Sequence, residues 1–276
     1  MTLSEPETRI RELRYRMMII DMLRIACRIF SYKELSERLD LSPPILSRYM
    51  RGHVLPSYGR ARELYERLID IMGMRRVLER QIEFDERGYF DNSVITSDIS
   101  WIRLAANYAI HKFAGKRVTK VLTAATDGIP LATMIANLLD VNLVVAKKCR
   151  EVGIKSFIEE IFIPGDSAIM VSLFLPKGAI KRRDSVLIVD DVVRTGDTIR
   201  ALVSLVDKNK RKSYRKGEAV GPTIAGIYVP IAIGEDWKKN LADILETYDF
   251  ETFVQVRPPR GRVRPKAGVE KVAVVG

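Results

Sequence analysis

Residues 186–198, VLIVDDVVRTGDT, limit the architecture of this chain more than any other segment. Val186 to Val189 are apolar without alternation, the pattern of a strand buried on both faces. Such strands belong to parallel sheets covered by helices. The run stops at Asp190-Asp191, a small-residue loop follows from Val192 to Asp197, and Thr198 is placed to open a helix. In open parallel sheets, ligands sit beyond the carboxyl ends of the strands. Backbone N–H groups in such a loop, with the helix N-terminus, form a concave anion site. Thr195 and Thr198 add hydroxyl donors, and Gly196 lets the backbone approach closely. Two adjacent carboxylates can accept hydrogen bonds from vicinal hydroxyls, as a ribose presents them. The segment therefore reads as a phosphate cradle beside a sugar-diol acceptor.

An apolar strand ending in Asp also occurs at the metal site of P-loop NTPases. The G-x-x-x-x-G-K-[ST] that this fold needs is absent from the chain. The surrounding pattern agrees with a parallel sheet. Apolar runs at Val118–Leu122, Val141–Ala146, Val186–Val189 and Thr223–Val229 alternate with helical stretches at Asp98–Phe113, Ile129–Leu139, Thr198–Val206 and Trp237–Thr247. Between Ser156 and Leu175, two alternating runs flank Pro164-Gly165-Asp166, which predicts an inserted β-hairpin. The fold class is thus α/β, a mainly parallel sheet with helices on both faces.

The first ninety or so residues have a different texture and read as a small all-α domain. Ile10, Leu13, Met17, Ile20 and Cys27 recur at helical spacing, and Leu64, Leu68, Ile71, Leu78 and Ile82 repeat the pattern within Arg60–Phe84. Ser31 and Glu34 form a capping box for a helix packed through Leu35 and Leu39. Asp40 suits a left-handed turn, Ser42 can cap a second helix with Pro43 first in it, and Gly52 can end it. That second helix is expected to pack through Ile45, Leu46 and Tyr49. The pair spans residues 31–52 and makes a helix-turn-helix. Pro44, Ser47, Arg48 and Arg51 lie on the exposed face of its second helix, a hydroxyl with guanidinium groups beside it. That set suits base edges and flanking phosphates of double-stranded DNA, with Lys33 and Ser42 as further contacts. Gly88, Asp91 and Asn92 interrupt the pattern, which predicts domains at 1–90 and 91–256 and a basic tail at 257–276.

Composition narrows the setting. The formal net charge of +11 suits nucleic acid or phosphorylated metabolites, with clusters at Lys208–Lys216 and Arg257–Lys266. No apolar run reaches membrane-spanning length and the N-terminus has a mixed acid/base stretch, so a cytoplasmic protein without a membrane partner is expected. Cys27 and Cys149 offer no disulfide framework, and His53 and His111 have no partners at metal spacing. No metal caged by the protein is expected.

At every informative position, residues 186–198 resemble the phosphoribosyl pyrophosphate (PRPP) signature of type I phosphoribosyltransferases. The resemblance extends over roughly Ser97 to Val229. It implies that Asp190 and Asp191 hold the ribose hydroxyls and that Val192, Val193, Arg194, Thr195, Gly196, Asp197 and Thr198 wrap the 5′-phosphate. Thr126, Asp127 and Gly128 look like the family's pyrophosphate loop. Lys147 and Lys148 look like the strand leading to its mobile loop, where Lys148 and Lys155 would be catalytic in a working enzyme. Mg²⁺ would travel with PRPP. Asp127 departs from the family's Lys or small residue and sets a carboxylate beside the pyrophosphate.

The stretch LSPPILSRYMRGHVLPS resembles the Cro/repressor class of helix-turn-helix domains, apart from two prolines at its reading end. The two resemblances together look like the purine-operon repressors of Gram-positive bacteria, and closer still like archaeal orotate-phosphoribosyltransferase-like regulators. They imply a homodimeric transcription regulator that senses PRPP or a nucleotide. A working nucleobase phosphoribosyltransferase using PRPP and Mg²⁺ is the alternative.

Overall fold

A computed structural model describes residues 5–72, 84–85, 90–165, 169–209, 211–212 and 219–257. The chain opens with α1 (Glu5–Ala26), α2 (Tyr32–Leu39), α3 (Pro43–Met50) and α4 (Tyr58–Met72). The capping box forms as expected: Ser31 Oγ accepts from the Glu34 N–H at 3.3 Å, and the Glu34 carboxylate accepts from the Ser31 N–H at 2.9 Å. Both left-handed positions are also found, Asp40 at φ +51° and Gly52 at φ +72°. Ser42 occupies the cap of α3 but makes no side-chain bond there. Of the two helical N–H groups a cap oxygen can reach, Pro44 lacks one, which leaves only that of Ile45.

A short α5 (Ser93–Thr96) leads into α6 (Ile99–Lys112), which is capped by Asp98 accepting from the Ser100 N–H at 2.8 Å. The sheet strands then follow as β1 (Lys120–Ala124), β2 (Asn142–Ala146), β5 (Ser185–Val189), β9 (Thr223–Tyr228) and β11 (Phe250–Glu251). Their order is β11-β9-β5-β1-β2, and every pair is parallel. α7 (Ile129–Leu139) and α8 (Asp197–Lys208) are the main helices between strands. The predicted hairpin is present as β3 (Phe157–Phe162) and β4 (Val171–Pro176), paired antiparallel, although Asp166 of its turn lies outside the described residues. A short antiparallel pair is formed by β7 (Arg211–Lys212) and β8 (Ala219–Val220).

Several expectations need correction. Val192-Val193 is not loop but strand β6, paired with β10 (Ile231–Ile233), which also pairs with β12 (Val254–Val256). Trp237–Thr247 is two helices, α9 (Asp236–Asn240) and α10 (Ala242–Thr247), broken at Leu241. That side chain is fully buried and lies against Gly196, so tertiary packing overrides helix continuity. On α1, Ile20 is buried and Cys27, just past its end, packs against the core as expected, but the core also takes Ile19, Met22, Leu23 and Ala26, whereas Leu13 and Met17 are 44% and 54% exposed. Both stripes have helical period, and the burial begins only at Met18, where α1 meets α3, α4 and α6. On α3, Leu46 is buried with Tyr49 and Met50 packed beside it, a single stripe that leaves Ile45 exposed. Leu64 and Leu68 are buried as expected. Leu78, Ile82, the Ile10 side chain, residues 86–89 of the expected boundary, much of the 208–216 cluster and nearly all of the basic tail lie outside the described residues.

Strand alternation sorts the core onto two faces of the sheet. Leu122, Val186 and Ile188 face Ile199, Leu202 and Val206 of α8. Val121, Leu187 and Val189 face the other way, toward Leu131 and Ile135 of α7 and Leu104 and Ala105 of α6. From there the buried cluster continues without a break into Ile19, Leu23 and Leu64 of the N-terminal helices. The sheet and the N-terminal helices thus share one core, with α6 between them.

Gly226 of β9 is where that packing is tightest. A Cβ there would stand 2.2 Å from Phe113 Cε1 and 3.1 Å from the Asp249 carbonyl oxygen, and Phe113 is buried. Gly226→Ala should destabilise the fold by about 1–3 kcal/mol, read as a fall of several degrees in Tm. An unchanged Tm would show that Phe113 can yield.

Candidate functional site

The chain leaves β1 to form β2 on one side and later returns to place β5 on the other side of β1. β1 and β5 therefore flank the topological switch point, where the loops beyond the two strands diverge and open a crevice. The loop after β1 is 125–128, and the loop after β5 begins at Asp190. The segments expected to bind pyrophosphate and ribose are thus brought together by topology alone.

Gly128 sets how closely the loops meet. It is buried at the start of α7, and a Cβ there would lie 2.4 Å from Thr123 Oγ1 and 2.9 Å from Asp190 Oδ1. No side chain fits, so the backbone of the first loop rests on Asp190. Thr126 and Asp127 remain exposed. A narrow cleft beside them is lined by Asp127, Pro130, Asp191, Trp101 and Pro230.

Asp190 is buried and Asp191 is partly exposed beside it. Burial, then the neighbouring Asp191 charge, pushes the Asp190 carboxyl well above the ordinary aspartate value. Burial pushes Asp191 up as well, while hydrogen bonds from Asp190 and Asn92 pull against that rise and the Asp127 charge adds to it. Both shifts favour the protonated carboxyl more than in an ordinary aspartate, and the rise is the larger at Asp190. A diol that donates hydrogen bonds to both would favour the ionised pair instead.

The loop after the aspartates is braced from outside. Gly196 takes φ +87° at the start of α8, and a Cβ there would be 2.7 Å from Leu241 Cγ. The Asn240 amide donates to the Thr195 carbonyl and to Asp197 Oδ1, both at 2.8 Å. The Gly165 N–H, from the hairpin turn, donates to Asp197 Oδ2 at 2.7 Å. Burial raises the Asp197 carboxyl, but bonds from Thr195, Gly165 and Asn240 outweigh it and hold the group below its usual value. The Asp197 side chain thus braces the loop by taking the Thr195 hydroxyl, and backbone donors with the Thr198 hydroxyl remain along it. Val193 is buried in the core, while Val192, Arg194 and Thr198 are half-buried along the loop.

The lysines follow β2, whose last residue, Ala146, accepts from the Ala125 N–H of the first loop at 2.8 Å. Lys147 exchanges backbone hydrogen bonds with Phe174 of β4 at 3.0 and 2.7 Å, and its ammonium pairs with Glu151. Lys148 and Lys155 are exposed. Among the described residues no hydrogen bond or ion pair joins these three to loops 125–128 or 190–198. Sequence reasoning missed Asn92, Trp101, Pro230, Asn240 and Gly165, which reach the site only through distant chain contacts.

The second candidate surface is α3. Pro44, Arg48 and Arg51 are exposed, as are Lys33 and Ser42, and Ser47 is half-buried. The Arg24 guanidinium on α1 donates to the Met50 carbonyl at 3.1 Å and Arg60 on α4 donates to the Asp40 carbonyl at 2.9 Å, holding the end of α3 and the turn between α2 and α3.

Residues 98–258 match the phosphoribosyl transferase domain family, more than half of the chain. The chain belongs to this family. An adenine phosphoribosyltransferase from Thermoanaerobacter pseudethanolicus has a similar fold, with a TM-score of 0.53 at 17% identity, covering 68% of this chain and 99% of that one. The probable purine biosynthesis transcriptional regulator PurR of Streptococcus pneumoniae is 29% identical over 120 residues, 43% of this chain and 44% of that protein. The purine biosynthesis transcriptional repressor PurR of Bacillus subtilis is 34% identical over 96 residues, 35% of this chain and 34% of that one. The match thus spans less than half the length of these regulators. A hypoxanthine/guanine phosphoribosyltransferase of Methanothrix soehngenii is 28% identical over 188 residues, 64% of this chain and 87% of that protein. Among the described residues no helix is long and apolar enough to cross a membrane.

The raised Asp190 carboxyl has a consequence for stability. Because the folded state binds its proton more tightly than the unfolded chain, the stabilisation is complete below the ordinary aspartate pKa. It is lost as pH rises through the folded value. Each unit of elevation corresponds to about 1.4 kcal/mol. Asp190→Asn should therefore raise the Tm of the ligand-free protein at neutral pH, with the advantage shrinking in acid. A Tm gain that is the same at pH 4 and pH 8 would rule out this origin.

Proposed function

We propose that this protein is a DNA-binding regulator of nucleotide metabolism whose phosphoribosyltransferase-type site senses PRPP or a nucleotide. The observation that carries this reading is the shared core. A basic, exposed helix face on α3 is built on the same cluster of buried side chains that supports Asp190 and the switch-point loops. A ligand that changes the packing at one end acts on the other through α6.

In this reading Asp190 and Asp191 accept hydrogen bonds from the ribose hydroxyls. The 5′-phosphate lies over the backbone of 192–198 at the positive end of α8. Thr126 to Gly128 face the diphosphate. Among the described residues no group of three or more ligands could hold a metal ion, so Mg²⁺ would arrive with the diphosphate. Asp127 and Asp191, both at the cleft, fit that role, and the ion would supply neutralisation of their charge and the ligand's. Lysines that make no hydrogen bond or ion pair to either loop among the described residues, and an acidic Asp127, favour binding over turnover. On DNA, a two-fold dimer would place two α3 helices in successive major grooves, about 34 Å apart.

A second reading, an active nucleobase phosphoribosyltransferase, is favoured by the 87% coverage of the hypoxanthine/guanine enzyme. Pyrophosphate release from PRPP, Mg²⁺ and each common nucleobase decides between them. The regulator reading expects none above background, and robust turnover would sink it.

For DNA, the test uses genomic fragments retained by the wild-type protein. Arg48→Ala with Arg51→Ala should weaken binding by roughly 10-fold or more and reduce its salt dependence. Equal affinity and equal salt slope for the double variant would remove α3 as the reading helix. Saturating PRPP should shift the wild-type affinity, and a constant value would leave the loop without a regulatory role.

A further inference from the structure

We propose that the Asn92 side chain is an internal occupant of the diol site, and that a ribosyl ligand binds by expelling it from Asp191. Asn92 lies in the stretch that joins the N-terminal helices to the sheet, 99 residues from its partner. Its amide Nδ2 donates to Asp191 Oδ2. A ribose hydroxyl is also a donor and needs the same carboxylate. The ligand-free protein thus already holds a hydrogen-bond donor where the sugar would place one.

The contact is built to be exchanged. The other end of the amide, Oδ1, is buried with no hydrogen-bond partner among the described residues. In place the side chain satisfies one group and strands another, whereas in water it satisfies both. A ligand that takes over Asp191 therefore meets little opposition from the amide it displaces. The main chain of Asn92 is held more firmly: its carbonyl accepts from the Thr96 N–H at 3.0 Å and the Thr96 hydroxyl at 3.1 Å. Expulsion of the side chain is therefore felt by α5 and, through the Asp98 cap, by α6.

α6 transmits the change because both of its sides are occupied. Trp101 at its start lines the cleft with Asp127 and Asp191, and the Ala105 carbonyl accepts from the Tyr228 hydroxyl of β9 at 2.8 Å. On the side of the N-terminal helices, Arg103 pairs with Asp21 of α1 at 3.6 Å, and the His111 ring sits 4.6 Å from that of Tyr65 on α4. Filling the diol site and shifting the DNA-facing helices become one event. This last step rests on the regulator reading, whereas the exchange at Asp191 does not.

Asn92→Ala tests both parts, since alanine keeps the main-chain bonds to Thr96 and removes only the amide. By calorimetric titration with PRPP and Mg²⁺, the variant should bind about 3- to 5-fold tighter than wild type, the change expected for losing one competing hydrogen bond. In amide NMR spectra of the wild-type protein, saturating PRPP should move the Asn92 side-chain resonances to solvent-exposed positions. Equal PRPP affinity, or Asn92 resonances that stay in place, would overturn the exchange even if PRPP still shifts DNA binding. In the variant the PRPP-induced shift in DNA affinity should shrink. If wild-type DNA affinity ignores PRPP while Asn92→Ala still tightens PRPP binding, the exchange stands and the regulator reading falls.

Discussion

Two carboxylates held side by side at the end of a buried strand are the constraint on which the rest of this structure depends. Val186 to Val189 are fully buried, so the strand cannot retreat to bring its terminal aspartates into water. Asp190 stays in the low-dielectric end of the sheet, and that burial raises its carboxyl well above the ordinary aspartate value. Nearby features follow from this arrangement. Gly128 presses backbone onto Asp190, Asn92 donates to Asp191, and Asp127 adds a third carboxylate at the mouth. Burial of both carboxylates raises them above the ordinary aspartate value, so the pair is costly to keep ionised at neutral pH.

The second organising element is α6. Ala105, Ala106 and Ala109 are buried along it and let neighbouring helices approach closely from more than one direction. α7 packs on one side and α1 on another, so the helix belongs to the family's fold and to the N-terminal unit at once. A helix shared in this way places α1, which also contacts α3, one element away from the switch point.

Much of this was legible in the chain itself. The strand before Asp190, the helix after Gly196, the hairpin, the capping box and the left-handed Asp40 rest on local chemistry and formed where expected, whereas Val192-Val193 became a strand through its pairing with β10. Local patterns failed where several partners compete for one element. α1 has two apolar stripes, and only its neighbours decide that Ile19 and Leu23 go inside while Met17 stays out. The helix after β10 has continuous helical character but breaks because Leu241 is drawn to Gly196. Asn240 and Gly165 support the phosphate loop from far along the chain, and no residue pattern marks them.

The sequence by itself determined that residues 186–198 form a buried strand ending in two aspartates, followed by a tight turn into a helix, because strand, turn and helix signals there all act over short range. It likewise determined a capped pair of short helices with arginines on the outer face. Only the tertiary structure decided what those two features have to do with each other. Sheet order brought the loops after β1 and β5 together, a shared core set α6 between the site and the N-terminal helices, and Asn92 came to rest on Asp191. Contacts across a hundred residues depend on how whole elements pack, and that information is spread over the core rather than written at the residues that meet.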